Sequence, residues 1–181
     1  MIIAFDLDGI FVGSPPFVPK RLIEWFYRGP QNQKLKYRYP TTKFEQQIRK
    51  FSHFGFFRPN IPKNAEFLRN FSKSNNQIYL VSSRYQFLEN LTLKLLEEYS
   101  IKNRFTKIYL NTGNEQPHLF KEKMIKKLKI DIFIDDDLKL LMYLRSRCPN
   151  TKLFFYDLNP KQTEPGINRV HELTDIKKYI K

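Results

Sequence analysis

Six of the eight aspartates in this 181-residue chain fall at positions 6, 8, 131, 135, 136 and 137, and none lies between Asp8 and Asp131. They flank two short apolar runs, Ile2-Ile3-Ala4-Phe5 and Ile132-Phe133-Ile134. Residues i and i+2 of an extended strand project to one side, so Asp6-Leu7-Asp8 presents a pair of carboxylates, and Gly9 lets the chain turn sharply around whatever they hold. Two carboxylates at ~4 Å repel by about 4 kcal/mol at an effective dielectric of about 20, and the 135–137 cluster adds to that repulsion. A divalent cation relieves it. Oxygen ligands in small number, without His or Cys nearby, favour Mg²⁺ over zinc.

Two more stretches bear on the same chemistry. The run Ile78-Tyr79-Leu80-Val81 leads into Ser82-Ser83-Arg84, which places hydroxyls and backbone N–H groups at a strand end before a helix, where they can cradle an anion. Across 119–128, Phe120, Met124, Ile125 and Leu128 form an apolar helical arc; Lys121 falls near its middle, while Lys123 and Lys126 point away. A lysine aimed inward must meet an anion there. Taken singly, each feature has a plainer reading: Asp-x-Asp-Gly as a turn or metal clip, Ser-Ser as a helix start, Lys121 as a solvated residue. Their ordered combination carries the weight. Asp137 reads as the cap of a helix beginning near Leu138. His53, His118 and His171 show no ligand spacing and read as satisfied or exposed, and Cys148 reads as packing.

The elements that must position these groups follow from periodicity. Strand-like runs at 2–5, 78–81, 108–110, 132–134 and 153–156 alternate with helical patterns at 63–73, 86–99, 119–128, 138–147 and 172–180. That alternation predicts an α/β fold, a three-layer Rossmann-like, mostly parallel sheet with helices on both faces and ligands beyond the carboxyl ends of its strands. Residues 17–58 break the rhythm. They hold ten Lys/Arg against two Glu, and eleven aromatics including Trp25, Phe26, Tyr27, Tyr37, Tyr39, Phe56 and Phe57. They read as a small inserted cap, helical in character, with 1–16 and 59–181 forming the core. Most of Phe26, Phe44, Phe51, Phe54 and Phe57 are expected to pack as the cap's own interior; base stacking beside Lys and Arg is the lesser alternative.

The composition suits one packed core, with 41% hydrophobic residues. The balance of 32 Lys+Arg against 18 Asp+Glu, +14, fits an anionic partner, but Lys, Asn, Ile, Phe and Tyr are all A/T-rich-codon residues and composition drift is the competing explanation, so charge alone decides nothing. A single cysteine excludes a disulfide framework and any multi-cysteine metal cluster. No apolar run approaches the ~18 residues of a membrane span, and Asp6 interrupts the opening too soon for a secretory signal. A cytoplasmic protein with a reduced thiol and no membrane partner is expected.

Asp6-Leu7-Asp8-Gly9, Ser82 after a strand, Lys121 fourteen positions before Asp135, and the pair Asp135-Asp136 together resemble the haloacid dehalogenase-like superfamily of phosphotransfer enzymes. The resemblance covers 1–12 and about 62–180, leaving the cap unmatched. Within it, Asp131-Ile132-Phe133-Ile134-Asp135-Asp136, Phe154-Phe155-Tyr156-Asp157 and Pro165-Gly166-Ile167-Asn168-Arg169-Val170 look like the small 5′-nucleotidase branch. The resemblance implies Asp6 as the nucleophile that forms an aspartyl-phosphate, and Asp8 as the acid and then base. It further implies Mg²⁺ held by Asp6, the Asp8 backbone carbonyl and Asp136, with Asp135 in the outer shell, and Ser82 and Lys121 as ligands of the phosphoryl oxygens. Ile10 stands where the family often has Thr. The expected function is Mg²⁺-dependent hydrolysis of a small phosphomonoester, a nucleotide first among candidates. A nucleic-acid-end phosphatase, a metal-dependent nuclease and an inactive binding protein of the same fold are the alternatives, nucleic acid being the less favoured partner.

Overall fold

The computed structural model describes residues 1–15, 35, 37–71, 75–157 and 164–180. Trp25, Phe26 and Tyr27 lie outside the described residues, as does much of the first half of the expected cap. In chain order the elements are β1 (Ile2–Phe5), α1 (Lys43–Phe51), α2 (Pro62–Phe71), β2 (Gln77–Tyr85), α3 (Glu89–Glu98), β3 (Lys107–Asn111), α4 (Pro117–Leu128), β4 (Ile132–Asp135), α5 (Leu138–Arg147), β5 (Lys152–Tyr156) and β6 (Asn168–Val170), followed by a 3₁₀ segment over Leu173–Tyr179.

Strand alternation divides the interior into two cores. Ile3, Phe5, Ile78, Leu80, Ile132, Ile134, Phe154 and Tyr156 face one side, where Leu68 of α2, Leu95 and Leu96 of α3 and Ile176 close over them. Ala4, Tyr79, Val81, Phe133, Leu153 and Phe155 face the other, under Phe120, Met124 and Ile125 of α4 and Leu140, Leu141 and Leu144 of α5. Strands buried on both faces read as continuous apolar runs, and a parallel sheet between two helical layers is the arrangement that buries them. The sheet has six strands in the order β3-β2-β1-β4-β5-β6, and every pairing is parallel. The winding reverses at β1, which pairs with β2 on one side and β4 on the other. The carboxyl ends of β1 and β4, and hence Asp6 and Asp135, meet at that switch point, the crevice where such sheets bind ligands.

Several local expectations need correction. Asp131 precedes β4 at the amino edge of the sheet, where its Oδ2 accepts from Ile2 N at 2.7 Å; it closes the start of β1 and takes no part in the acidic cluster. β6 escaped the sequence reading because Asn168-Arg169-Val170 is a short edge strand with only Val170 buried. The segment 172–180 forms a 3₁₀ turn rather than an α-helix, since its buried anchors Leu173 and Ile176 are three apart, the spacing that eclipses in 3₁₀ geometry. Phe44 (74% exposed), Phe51 (61%) and Phe54 (50%) are not cap interior. They lie on the outward face of α1 and the turn after it, with Phe51, Phe54 and Phe57 packing ring against ring. No helix among the described residues is long and apolar enough to cross a membrane.

Candidate active site

Lys121 stands at the centre of the switch point. Its Nζ lies 3.1 Å from Asp6 Oδ1 and 2.7 Å from Asp135 Oδ2, with the side chain 4% exposed. Helix α4 delivers it inward as the apolar arc requires, and the Phe133 ring lies beneath it at 5.9 Å from the centroid. Burial by itself would favour neutral lysine, but the carboxylates of Asp135 and Asp6 overcome it and raise the pKa, so the ammonium stays charged. Asp135 is fully buried with both oxygens occupied: Oδ2 accepts from Lys121, and Oδ1 accepts from Asp137 N at 2.9 Å. It aims the lysine.

Asp6, Asp135 and Asp136 each bring a carboxylate oxygen within 4.8 Å of the others. The crowding shows in their protonation. Burial first, then the charges of Asp135 and Asp8, push Asp6 up to about 7 against the pull of Lys121. Asp136 is raised well above the usual carboxylate range, by loss of water and by the negative charges of Asp135 and Asp6. Because the Asp136 side chain keeps an exposed face, the like charges are the firmer cause. Gly9, with φ +78°, leaves the space: a Cβ there would lie 1.9 Å from Asp136 Oδ2. Three oxygen donors held together against their own repulsion fit a hard divalent cation.

The expected partners Asp8 and Ser82 sit on the β2 side. Asp8 is clamped by Arg84, Nε to Oδ2 at 2.9 Å and Nη2 to Oδ1 at 2.7 Å, and Arg58 Nη1 lies 3.6 Å from Oδ1. Its side chain is 34% exposed. Burial works to raise its pKa, but the paired guanidinium of Arg84, then Arg58, hold it well below the ordinary carboxylate value. Arg84 is fixed in turn by Thr92 of α3, 3.3 Å from Nη1. The Ser82 side chain is buried and its hydroxyl accepts from Arg84 N at 3.5 Å; it lies at the carboxyl end of β2, beside β1. The structure therefore joins Asp6, Lys121 and Asp135 by direct contact, gathers Asp136 within 4.8 Å of the two aspartates, and ties Asp8 and Ser82 through Arg84. Arg84 and Arg58 were missed in the sequence. For Arg84 the signal was there: it is two residues from Ser82 at the end of the same strand.

The loop after β1 is rigid. Ile10, Phe11 and Val12 N–H groups converge on Leu7 O, Gly9 N donates to Val12 O, and Leu7, Ile10, Phe11 and Val12 are fully buried. Ile10 presents no hydroxyl; its carbonyl accepts from Asn64 Nδ2 at 2.6 Å. Asp137 caps α5, its Oδ1 accepting from Lys139 N and Leu140 N, and Oδ2 accepts from Tyr37 Oη at 3.2 Å. The histidines are satisfied: Nδ1 of His53, His118 and His171 contacts the carbonyl of Arg49, Leu35 and Asp157 respectively.

No family model and no curated relative matches the sequence. Solved structures do. A dehalogenase superposes over 99% of this chain and 96% of its own with TM-score 0.67 at 9% identity. A predicted phosphoglycolate phosphatase from Haemophilus somnus covers 99% and 97% with TM-score 0.67 at 14% identity. A haloacid dehalogenase-like family hydrolase from Streptococcus pneumoniae covers 99% and 98% with TM-score 0.60 at 12% identity. The chain has the haloacid dehalogenase-like hydrolase fold. At such low identity the likeness concerns the fold, and the chemistry rests on the side chains that this chain places at its switch point.

Proposed function

We propose that the protein is a Mg²⁺-dependent phosphomonoester hydrolase that works through an aspartyl-phosphate on Asp6, with 17–58 as a cap over the site and a nucleotide among the small phosphate esters it accepts. One observation carries this reading: Lys121, buried between Asp6 and Asp135 with Asp136 alongside, makes a site charged to hold a phosphoryl group against a carboxylate nucleophile.

A cation held by Asp6, Asp136 and the Asp8 backbone carbonyl would screen the phosphate's charge from the attacking carboxylate. Lys121 and Ser82 bind the phosphoryl oxygens as charge spreads over them. An Asp6 oxygen bonds to phosphorus as the bond from phosphorus to the ester oxygen breaks, and that oxygen takes its proton from the acid form of Asp8. Water then attacks the same phosphorus, gives its proton to Asp8, and releases phosphate and free Asp6. Arg84 holds Asp8 as a carboxylate in the resting fold, the form this second half needs. The first half needs a proton at the leaving oxygen, so leaving groups that depart without one should react fastest. Asp135 acts by aiming Lys121.

A neighbour of the same fold described as a predicted phosphoglycolate phosphatase supports the reading. The test is phosphate release from nucleoside monophosphates, sugar phosphates and phosphorylated oligonucleotides, with Mg²⁺ and with chelator. Release that needs Mg²⁺ and is lost in Asp6→Asn supports it. Internal phosphodiester cleavage would indicate a nuclease, and no reaction with any substrate would indicate a binding protein.

A further inference from the structure

Helix α1 is amphipathic with its faces reversed. Phe44, Ile48 and Phe51, spaced four and three apart, share one stripe and are 74%, 42% and 61% exposed, whereas the residue that α1 buries is Arg49. The turn after it repeats the pattern: Phe54 and Phe56 are 50% and 80% exposed, while His53 and Arg58 are buried. The apolar stripe of a surface helix ordinarily turns to the core, so this one points the wrong way for a face that meets only water. The polar inner face has its reason in the site, where Arg58 Nη1 stands 3.6 Å from Asp8 Oδ1. The outer face still needs one.

The rings are contiguous. Centroid to centroid, Phe51 lies 6.1 Å from Phe54 and 5.2 Å from Phe57, and Phe56 lies 5.2 Å from Phe57. Phe44 and Ile48 continue the patch along the helix. At ~200 Å² for a whole phenylalanine, Phe44, Phe51, Phe54 and Phe56 leave roughly 500 Å² bare, a size at which an apolar patch marks an interaction site. A second stripe runs beside the first. Lys43, Gln47 and Lys50 have the same four-and-three spacing, displaced about 100° round the helix, and Lys43 and Gln47 are exposed. The opposite flank carries Glu45, which is bound to Arg38.

We propose that this surface docks single-stranded nucleic acid, its bases stacked on the phenylalanines and its phosphates along Lys43, Gln47 and Lys50. A single strand has the same two-sided make-up, rings along one edge and anions along the other, and aromatic platforms beside cationic grooves are how proteins hold it. Of the six apolar side chains in the patch, Phe44, Ile48, Phe51, Phe54, Phe56 and Phe57, all but one are rings, which stacking uses and plain apolar burial does not require. Lipid headgroups would surround the helix and draw cations to both flanks, yet one flank carries Glu45. A second copy fits less well, since roughly 500 Å² falls short of the ~800 Å² per partner of a stable pair. Each copy also carries +14, which repels its like and complements a polyanion. The proposal goes beyond the hydrolase reading and does not depend on it.

The test is fluorescence anisotropy with a labelled oligothymidylate of about twelve residues, lacking a terminal phosphate and read in chelator so that the phosphoryl site takes no part. The intact protein should bind it. Phe44→Ser and Phe56→Ser should each weaken binding about tenfold, the worth of one stacked base, with no fall in melting temperature because those rings are bare in the fold. Lys43→Gln combined with Lys50→Gln should make the fall of log affinity with log salt shallower by about 1.4, at ~0.7 for each phosphate contact. The same oligothymidylate annealed to oligoadenylate should bind about tenfold more weakly or worse, because its bases are already stacked on one another. No binding, equal binding of single strand and duplex, or binding that both phenylalanine variants leave unchanged would overturn the proposal. So would a different occupant: a dimer in sedimentation that Phe44→Ser dissolves, or capture by phosphatidylserine vesicles in preference to the oligonucleotide. A marked drop in melting temperature in both variants would overturn it too, since another part of the chain would then be covering the rings.

Discussion

Replacing Lys121 by Met would leave Asp6 and Asp135 facing each other with no cation between them. Removing one partner of a buried charge pair costs about 3–5 kcal/mol, so Lys121→Met should lower the melting temperature of the metal-free protein sharply, and acid, by protonating Asp6, should recover part of the loss. Activity should drop about a hundredfold or more, the usual effect of deleting one oxyanion donor. A variant as stable and active as the parent would remove Lys121 from the account. Asp8 makes a different test. If Arg84 keeps it ionised, aryl phosphates, whose oxygen leaves without a proton, should outpace alkyl phosphates, and the ratio should narrow in Arg84→Gln as Asp8 regains a proton. An unchanged ratio would mean that the clamp does not govern the leaving group. Asp6, Asp8, Ser82, Lys121 and Asp136 were legible because residue type and spacing mark them. Arg84 and Arg58 were not, because arginine is common in so basic a chain and only the fold shows which ones turn inward.

At the scale of elements, strand alternation and one helical arc were enough to specify the sheet and the inward lysine. The outward stripe of α1 was misread because Phe44, Ile48 and Phe51 repeat at helical spacing whether the helix face is covered or bare, and all three are more than 40% exposed. Asp137 shows a residue doing elemental work inside an acidic cluster. Its carboxylate ends two orphan N–H groups of α5, so Asp137→Ala should cost about 1 kcal/mol, read by denaturant unfolding, while Asp137→Asn retains most of it. Equal loss in both would shift the weight to its bond with Tyr37. The β1 loop is equally constrained. In Gly9→Ala the new methyl would collide with Asp136 at a backbone φ of +78°, so Mg²⁺ affinity should collapse together with roughly 1–2 kcal/mol of stability. Unchanged Mg²⁺ binding would show that Asp136 is not a ligand.

For the whole molecule, the crowded carboxylates make stability depend on pH and metal in a fixed direction. Asp6 titrates at about 7 in the fold against 3.8 as its ordinary value, so between those limits the metal-free fold binds more protons than the unfolded chain. Stability must therefore fall as pH rises through that window, and the raised Asp136 adds to the trend. Asp8, held low, acts in the opposite sense, but only in acid below its ordinary value. Calorimetric melting should show a lower midpoint at about pH 7.5 than at about pH 5.5 without metal, and a larger gain from Mg²⁺ at the higher pH, where the metal has no proton to displace. A metal-free midpoint that climbs across this range would contradict the assignment of a repulsive acidic cluster.

The most direct measurement is capture of the covalent intermediate. With a ³²P-labelled phosphomonoester and Mg²⁺, rapid acid quench should leave label on the protein that hydroxylamine removes, mapping to the peptide containing Asp6 and missing in Asp6→Asn. Steady turnover with no label at any quench time, or label on another residue, would contradict the role given to Asp6.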